Sequence, residues 1–230
     1  MLIAIVGTIG SGKDTIADYL TNFHEYRRES FASSLKDAIS VIFGWDRQLL
    51  DGRTKESRIW REQIDQWWSD RLQIPHLTPR WILQQWGTEV CRDSFHQEIW
   101  IASLENKLRN SKDDVVISDC RFPNEFKALK QAGGKIIRVK RGPEPEWHQY
   151  VLKALDGDIN SKNILINEYN IHESEWGWYG LTFDIVIENN GSIDELYNKV
   201  NQFIGQAVDH PVSSILLPDV VSVDSWRTQF

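Results

Sequence analysis

The sequence predicts a three-layer α/β fold, with a parallel central sheet flanked by helices. Three observations carry this reading. Leu2 to Val6 is a continuous apolar run that stops at Gly7, as a strand buried on both faces does. Two more apolar, β-branched runs follow at Val115–Ser118 and Lys135–Val139. Stretches of helical periodicity lie between the runs, and strands alternating with helices build a parallel sheet.

Along the chain, a helix is expected from Asp14 to Leu20 and a short second strand from Arg27 to Phe31. Ser33 is positioned to cap a helix that places Leu35, Ala38, Ile39 and Ile42 on one face. Asp51-Gly52 marks a turn in the loop from Trp45 to Thr54. Ile59, Trp60, Ile64, Trp67 and Trp68 then recur at helical spacing, which predicts one helix over Lys55–Leu72. Thr78 followed by Pro79 is a helix start, and that helix carries Trp81, Ile82, Gln85 and Trp86. Further helices are expected over Phe95–Leu108 and over Glu125–Ala132, the latter closed by Gly133-Gly134. Arg141 to Gly180 is polar and dotted with glycine, with one helical piece near Glu146–Leu155, and reads as a mobile flap. Phe183–Ile187 is the last strand, and Ser192 caps a final helix to about Phe203. The organisation expected is one domain over 1–206, with a helical acceptor-binding region at about 33–110 and a lid at about 141–180, followed by a tail at 207–230.

Composition narrows the partners. A chain of 230 residues that is 41% hydrophobic can fill one core. Its net charge of −7 disfavours a nucleic-acid backbone as partner. The two cysteines, Cys91 and Cys120, have no metal-type spacing, which fits a reducing cytoplasm. No apolar run approaches the ~18–20 residues that span a bilayer, so no membrane partner is expected. The eleven tryptophans, many of them between Trp45 and Trp100, read first as flat plates of a helical core. The alternative is that one or two stack on a nucleobase.

Gly7-Thr-Ile-Gly-Ser-Gly-Lys-Asp-Thr15 follows the first strand and opens a helix, which is the setting a phosphate-binding P-loop requires. Gly7, Gly10 and Gly12 let successive N–H groups turn toward one anion, and the helix N-terminus adds partial positive charge. Lys13 supplies a point charge for the outer phosphates of ATP. The usual motif has Ser or Thr after the lysine to hold Mg²⁺. Here Asp14 stands there, followed by Thr15; the carboxylate can bind the ion directly or through water, and Thr15 can contact an inner phosphate. Asp119 ends the Val115–Ser118 strand, at the sheet edge where ligands bind. It reads either as a group that holds magnesium or its water or acts on the acceptor oxygen, or as an ordinary N-cap or turn aspartate.

Phosphoryl transfer needs cations around the moving group and a second cradle for the acceptor. The candidates are Lys36, Arg53, Arg58, Arg80, Arg92, Arg121, Arg138 and Arg141. Arg121, two residues beyond Asp119, is the strongest. Arg80 and Arg92 flank Gly87-Thr88, where glycine permits close backbone approach and Thr88 offers a hydroxyl. These residues define an ATP-dependent P-loop kinase with an open choice of acceptor.

The ordered set of motifs resembles the phage-type deoxynucleoside monophosphate kinases, a branch of the nucleoside monophosphate kinase superfamily. It comprises Gly12-Lys-Asp-Thr15 with Ala17-Asp18, and Phe31-Ala32 with Leu35-Lys-Asp-Ala38. Gln85 to Thr88 with Trp100 and Asp119-x-Arg121 with Glu125 follow, then His172 with Glu175 and the stretch from Phe183 to Leu196. The resemblance runs from about residue 2 to 206. It implies transfer of the ATP γ-phosphate to a dNMP with Mg²⁺. Gly10, Gly12, Lys13, Asp14, Thr15, Arg141 and Asn189 would hold ATP, with Asn189–Gly191 against adenine. Lys36, Arg80, Gly87, Thr88, Arg92 and Trp100 would line the monophosphate site. Lys13, Asp119 and Arg121 would face the reacting phosphates, with Asp14 and Asp119 toward the metal. The rival readings are a dephospho-coenzyme A or phosphomevalonate type of kinase and a non-catalytic ATP-binding regulator; a nucleic-acid end kinase fits the acidic charge poorly. A homodimer is left open by the apolar Ile215–Leu217 in the tail.

Overall fold

A computed structural model of the chain describes residues 1–109, 111–171 and 173–208. His172 and the tail with Ile215–Leu217 lie outside the described residues. The strand β1 (Leu2–Val6) is buried along its whole length. It leads through the glycine loop into α1 (Lys13–Phe23), then β2 (Arg27–Glu29). A helical region follows: α2 (Ser33–Phe43), α3 (Arg47–Asp51), α4 (Lys55–Arg61), α5 (Gln66–Leu72), α6 (Pro79–Gln85), a π-helical stretch over Trp86–Asp93, and α7 (Ile99–Leu108). The sheet resumes with β3 (Val115–Ile117), α8 (Pro123–Gln131) and β4 (Lys135–Lys140). Then come α9 (His148–Leu155), α10 (Ile159–Asn163), a π-helical turn over Ile164–Glu168, a 3₁₀ turn over Glu173–Glu175, β5 (Ile185–Glu188) and α11 (Ile193–Val208).

The five strands are all parallel in the order β2-β3-β1-β4-β5, as the alternation of strands and helices requires. Alternate side chains of β1 feed opposite faces. Ile3 and Ile5 pack with Ile16 and Leu20 of α1 and with Leu196 and Val200 of α11. Leu2, Ala4 and Val6 pack with Leu104 of α7, Phe126 and Leu129 of α8, and Val151 of α9. The result is a helix–sheet–helix sandwich whose strand C-terminal ends share one edge. Gly7 sits on that edge between β1 and β4. A Cβ there would lie 2.3 Å from the Val139 carbonyl oxygen, at a φ of +153°. Gly7→Ala should therefore cost about 1–3 kcal/mol of stability, read from the denaturant midpoint; an unchanged midpoint would show that the loop relaxes.

Several local expectations change. The helix expected over Lys55–Leu72 is two helices. Thr54 and Ser57 form a capping box for α4, while the Asp65 carboxylate accepts from the Trp68 N–H at 3.1 Å and restarts the chain as α5. Asp65 also accepts from the Trp45 indole at 2.8 Å, which fixes the break in place. Ala32, not Ser33, occupies the N-cap of α2, because the Ser33 hydroxyl donates back to the Ser30 carbonyl at 3.0 Å. The helix expected from Phe95 begins only at Ile99, and α11 runs to Val208. The segment after Arg141 is mostly helical rather than irregular, and its Leu165, Trp176, Trp178 and Tyr179 are buried in the core beneath the sheet.

Most tryptophans of the helical region do build a core. Phe43 stacks on Trp45, with ring centroids 4.5 Å apart, and meets Trp68 and Trp86; Trp45 meets Trp60 edge to face. Trp67 is mostly exposed.

Candidate active site

The glycine loop gathers its first contacts from its own lysine. Lys13 Nζ donates to the carbonyls of Gly7 at 2.7 Å and Thr8 at 2.9 Å, so the ammonium arches over the loop from the first turn of α1. Burial pushes its pKa down, Glu175 pulls it back up, and Arg121 adds to the lowering. Gly12 is the N-cap of α1 at a φ of 107°, and a Cβ on it would meet the Asn189 amide nitrogen at 2.5 Å. That amide donates to the Ser11 carbonyl at 2.8 Å. Asn189, expected beside adenine, thus also braces the loop from the end of β5. The neighbouring Asn190 accepts from the Gly142 N–H at 2.7 Å and ties the loop after β4 to the same corner, next to the exposed Arg141.

Asp14 projects from the start of α1 with its side chain 76% exposed, and pairs with Arg28 of β2. Thr15 is half-buried behind it, and Gly10 takes a φ of 79° at the crest of the loop. Asp119 leaves the end of β3, where its carboxylate accepts from the backbone N–H groups of Phe31 at 3.2 Å and Ala32 at 3.4 Å. Burial raises its pKa and nearby Lys36 works against that rise. Asp119 therefore locks the β2–α2 turn to the ligand edge of the sheet, a role the sequence does not announce.

Arg121 faces the loop from the other side. Its guanidinium pairs with Glu175 at 2.7 Å, and the same Glu175 acts electrostatically on Lys13. Arg121 is thus paired with a carboxylate whose charge also reaches Lys13, the other cation expected on the nucleotide phosphates. The backbone behind Arg121 is held by Glu125, which is only 2% exposed. Its Oε2 accepts from the N–H of Arg121 at 2.8 Å and of Phe122 at 3.2 Å, while Oε1 takes the Arg92 guanidinium at 3.2 Å. Burial raises the pKa of Glu125 against those partners. Through this one side chain, Arg92 of the helical region and Arg121 of the sheet edge are fixed relative to each other.

The other expected acceptor residues fall into two groups. Trp100 donates its indole N–H to the Gly87 carbonyl at 2.9 Å, and a Cβ on Gly87 would touch Leu35 at 2.9 Å, so this corner is tightly packed, with Thr88 exposed beside it. Lys36 pairs with Asp51 at 3.1 Å. Arg80 is half-exposed and pairs with Glu62 at 3.3 Å. Arg53 lies 3.9 Å from Asp51, and the exposed Arg58 donates to the Thr54 and Arg53 carbonyls. Arg138 leaves the candidate set. It is stacked against Trp178, Tyr179 and Phe183 and paired with Glu144 at 2.5 Å, a packing role. Arg28 and Glu125 were not singled out by role from sequence. The signal for Arg28 is a pair of arginines inside a strand whose neighbours are apolar.

A parallel sheet whose central strand runs through a glycine loop into a helix, with a lysine over that loop and an arginine opposite, is the frame of a P-loop kinase. The chain belongs to the deoxynucleotide monophosphate kinase family, whose description matches it over residues 48–200. That span holds the helical region from α4 onward and the Asp119–Arg121 edge, and the phosphate loop and α2 precede it. A protein of Acanthamoeba polyphaga mimivirus provisionally named a deoxynucleotide monophosphate kinase is 28% identical over 221 residues, covering 90% of this chain and 97% of the relative. The deoxynucleoside-5'-monophosphate kinase of Escherichia phage T5 is 29% identical over 57% of this chain and 72% of its own length. The deoxynucleotide monophosphate kinase of Enterobacteria phage T4 is 20% identical over 86% of this chain and 96% of its own length.

Proposed function

We propose that this kinase transfers the γ-phosphate of ATP to the phosphate of a deoxynucleoside monophosphate, giving ADP and a deoxynucleoside diphosphate for DNA precursor synthesis in the cytoplasm. The observation that carries the chemistry is Lys13 arched over the carbonyls of the glycine loop, with Arg121 paired to a Glu175 whose charge also acts on that lysine. A lysine and an arginine so placed suit a transferring phosphoryl group. Among the described residues no helix is long and apolar enough to cross a membrane.

The acceptor phosphate oxygen is anionic and needs no activating base. It attacks the γ-phosphorus in line, the bond from that phosphorus to the β-bridging oxygen breaks, and the electron pair leaves with ADP. The N–H groups from Gly10 to Thr15 hold the β- and γ-phosphates, Lys13 and Arg121 neutralise charge on the moving group, and Asn189 orients the loop beneath it. On the acceptor side Arg92, set by Glu125, and Lys36 receive the monophosphate, while Gly87, Thr88 and Trp100 shape the wall beneath the sugar and base. Arg80 completes the outer rim, and Arg141, exposed at the turn after β4, covers the nucleotides from that corner and helps to exclude water.

Magnesium fits these residues as a nucleotide-bound ion. Among the described residues no group of three or more His, Cys, Asp or Glu could hold a metal unaided. Mg²⁺ is commonly held by one or two carboxylates, substrate phosphates and water. Asp14 and Asp119 would supply the carboxylates, through water where their present partners remain. The ion would shield charge between the β- and γ-phosphates.

Consumption of ATP with Mg²⁺, measured with each deoxy- and ribonucleoside monophosphate in turn, tests the assignment. Stoichiometric ADP formation is expected with one or more dNMPs. ADP formation with dephospho-coenzyme A or phosphomevalonate alone would move the acceptor to those classes. No acceptor-dependent turnover with intact ATP binding would make the chain a regulator.

A further inference from the structure

We propose that Arg28 is a positioning residue of the nucleotide site, and that Asp14 and Arg28 act as a pair in place of the hydroxyl that commonly follows a P-loop lysine. The inference rests on the ATP site proposed above and adds a further device to it. A carboxylate in the first turn of α1 stands beside the place where a triphosphate binds, and a bare negative charge there repels the ligand. The structure supplies the counter-charge from a neighbouring strand. Arg28 of β2, its side chain only 12% exposed, pairs with Asp14. Its other nitrogen takes Asp18 at 2.6 Å. The nitrogen that holds Asp14 also donates to the Ser118 hydroxyl at 2.7 Å, just before Asp119. Asp14 and Asp18 are one helical turn apart and so share the face of α1 turned toward β2. Three separate elements, α1, β2 and the end of β3, are thus joined at one guanidinium. A planar fork with several donors suits that task, and the point charge of a lysine does not.

Arg28 offsets the charge of Asp14, which leaves one net negative charge over Asp14, Asp18 and Arg28, and an oxygen-rich group stays at the position of the missing hydroxyl. The charge logic gives opposite signs for the two partners. Arg28→Met exposes the carboxylate to the phosphates, and the Kd for ATP measured by calorimetry in EDTA is expected to rise about tenfold. Asp14→Asn removes the carboxylate beside the phosphates and leaves Arg28 balanced by Asp18, and the same Kd is expected to fall about threefold or more. The double variant Asp14→Thr/Arg28→Met restores the common hydroxyl without either charge, and its Kd should return to within about threefold of the parent. Both charge effects should shrink at 0.5 M salt, where screening is strong. A purely structural role for Arg28 would not give opposite signs, nor recovery in the double variant.

A parent-like Kd in Arg28→Met, or a double variant as weak as Arg28→Met, overturns the proposal. So does weaker or unchanged binding in Asp14→Asn, a surface change that keeps the test valid if Arg28→Met does not fold. If the parent chain itself fails to bind ATP, the nucleotide-site reading falls and takes this proposal with it; if the parent binds and the pattern is absent, only the proposal falls.

Discussion

Lys13→Ala should reduce the rate of phosphoryl transfer by about 10²–10³-fold, the range found when one preorganised donor to a developing charge is removed. The ammonium already arches over the loop carbonyls of Gly7 and Thr8, so little reorganisation separates its resting place from the phosphates. Burial also keeps its proton less tightly held than that of an exposed lysine, although Glu175 counters this. The loss should fall on kcat, because a charge that grows in the transition state feels the cation most. The acceptor KM should change by less than about threefold. Lys13→Arg separates charge from fit: the charge remains, but the fork is too wide for the loop, and only slight recovery is expected. Near-parental kcat in Lys13→Ala would remove the residue from the catalytic set.

Arg121→Ala is expected to lower kcat by about 10³-fold, the lower end of what arginines contribute to phosphoryl transfer. Two things support the larger figure. Its backbone is fixed by the buried Glu125, so the guanidinium starts from a rigid base. Its partner Glu175 also faces Lys13, so loss of Arg121 leaves a carboxylate near the reacting phosphates with one cation fewer. Stopped-flow or coupled-assay kcat should fall while acceptor binding, measured by calorimetry, stays within about fivefold. If both fell together, Arg121 would be an acceptor-binding residue and not a transition-state cation.

The parts of this site that were legible in the sequence are those written in short-range code. The glycine loop declares itself because strand, glycines, lysine and helix start occupy the fourteen consecutive positions from Leu2 to Thr15. The Thr78-Pro79 start is local too, and the Thr78 hydroxyl does accept from the Trp81 N–H at 3.1 Å. The broken helix around Asp65 was not legible, because its periodic tryptophans fit a continuous helix equally well. What decides the break is a hydrogen bond from Trp45, twenty positions away. The partners of Arg28 were hidden for the same reason, since it joins Ser118 across ninety positions. Glu125 stood within a recognisable motif, yet its joining of Arg92 to Arg121 emerges only from burial. Helical pieces after Arg141 were hidden by polar residues that coat them, while Trp176 and Trp178 carry the packing.

The place of β1 in the sheet has a consequence for how the chain is made. Its partners are β3, through Leu2 opposite Val115, and β4, through Ile3 opposite Lys135. At synthesis rates of about 5–20 residues per second, the first strand waits roughly 5–20 s before either partner leaves the ribosome. For that interval an all-apolar strand with two open edges, followed by the glycine loop, has nothing native to pair with. β1 therefore gains its native partners only after the helical region has been made. The helical region from Ser33 to Leu108 can order first, around its tryptophans, and β1 is then threaded between β3 and β4 late, in a step slowed by the long-range closure it demands.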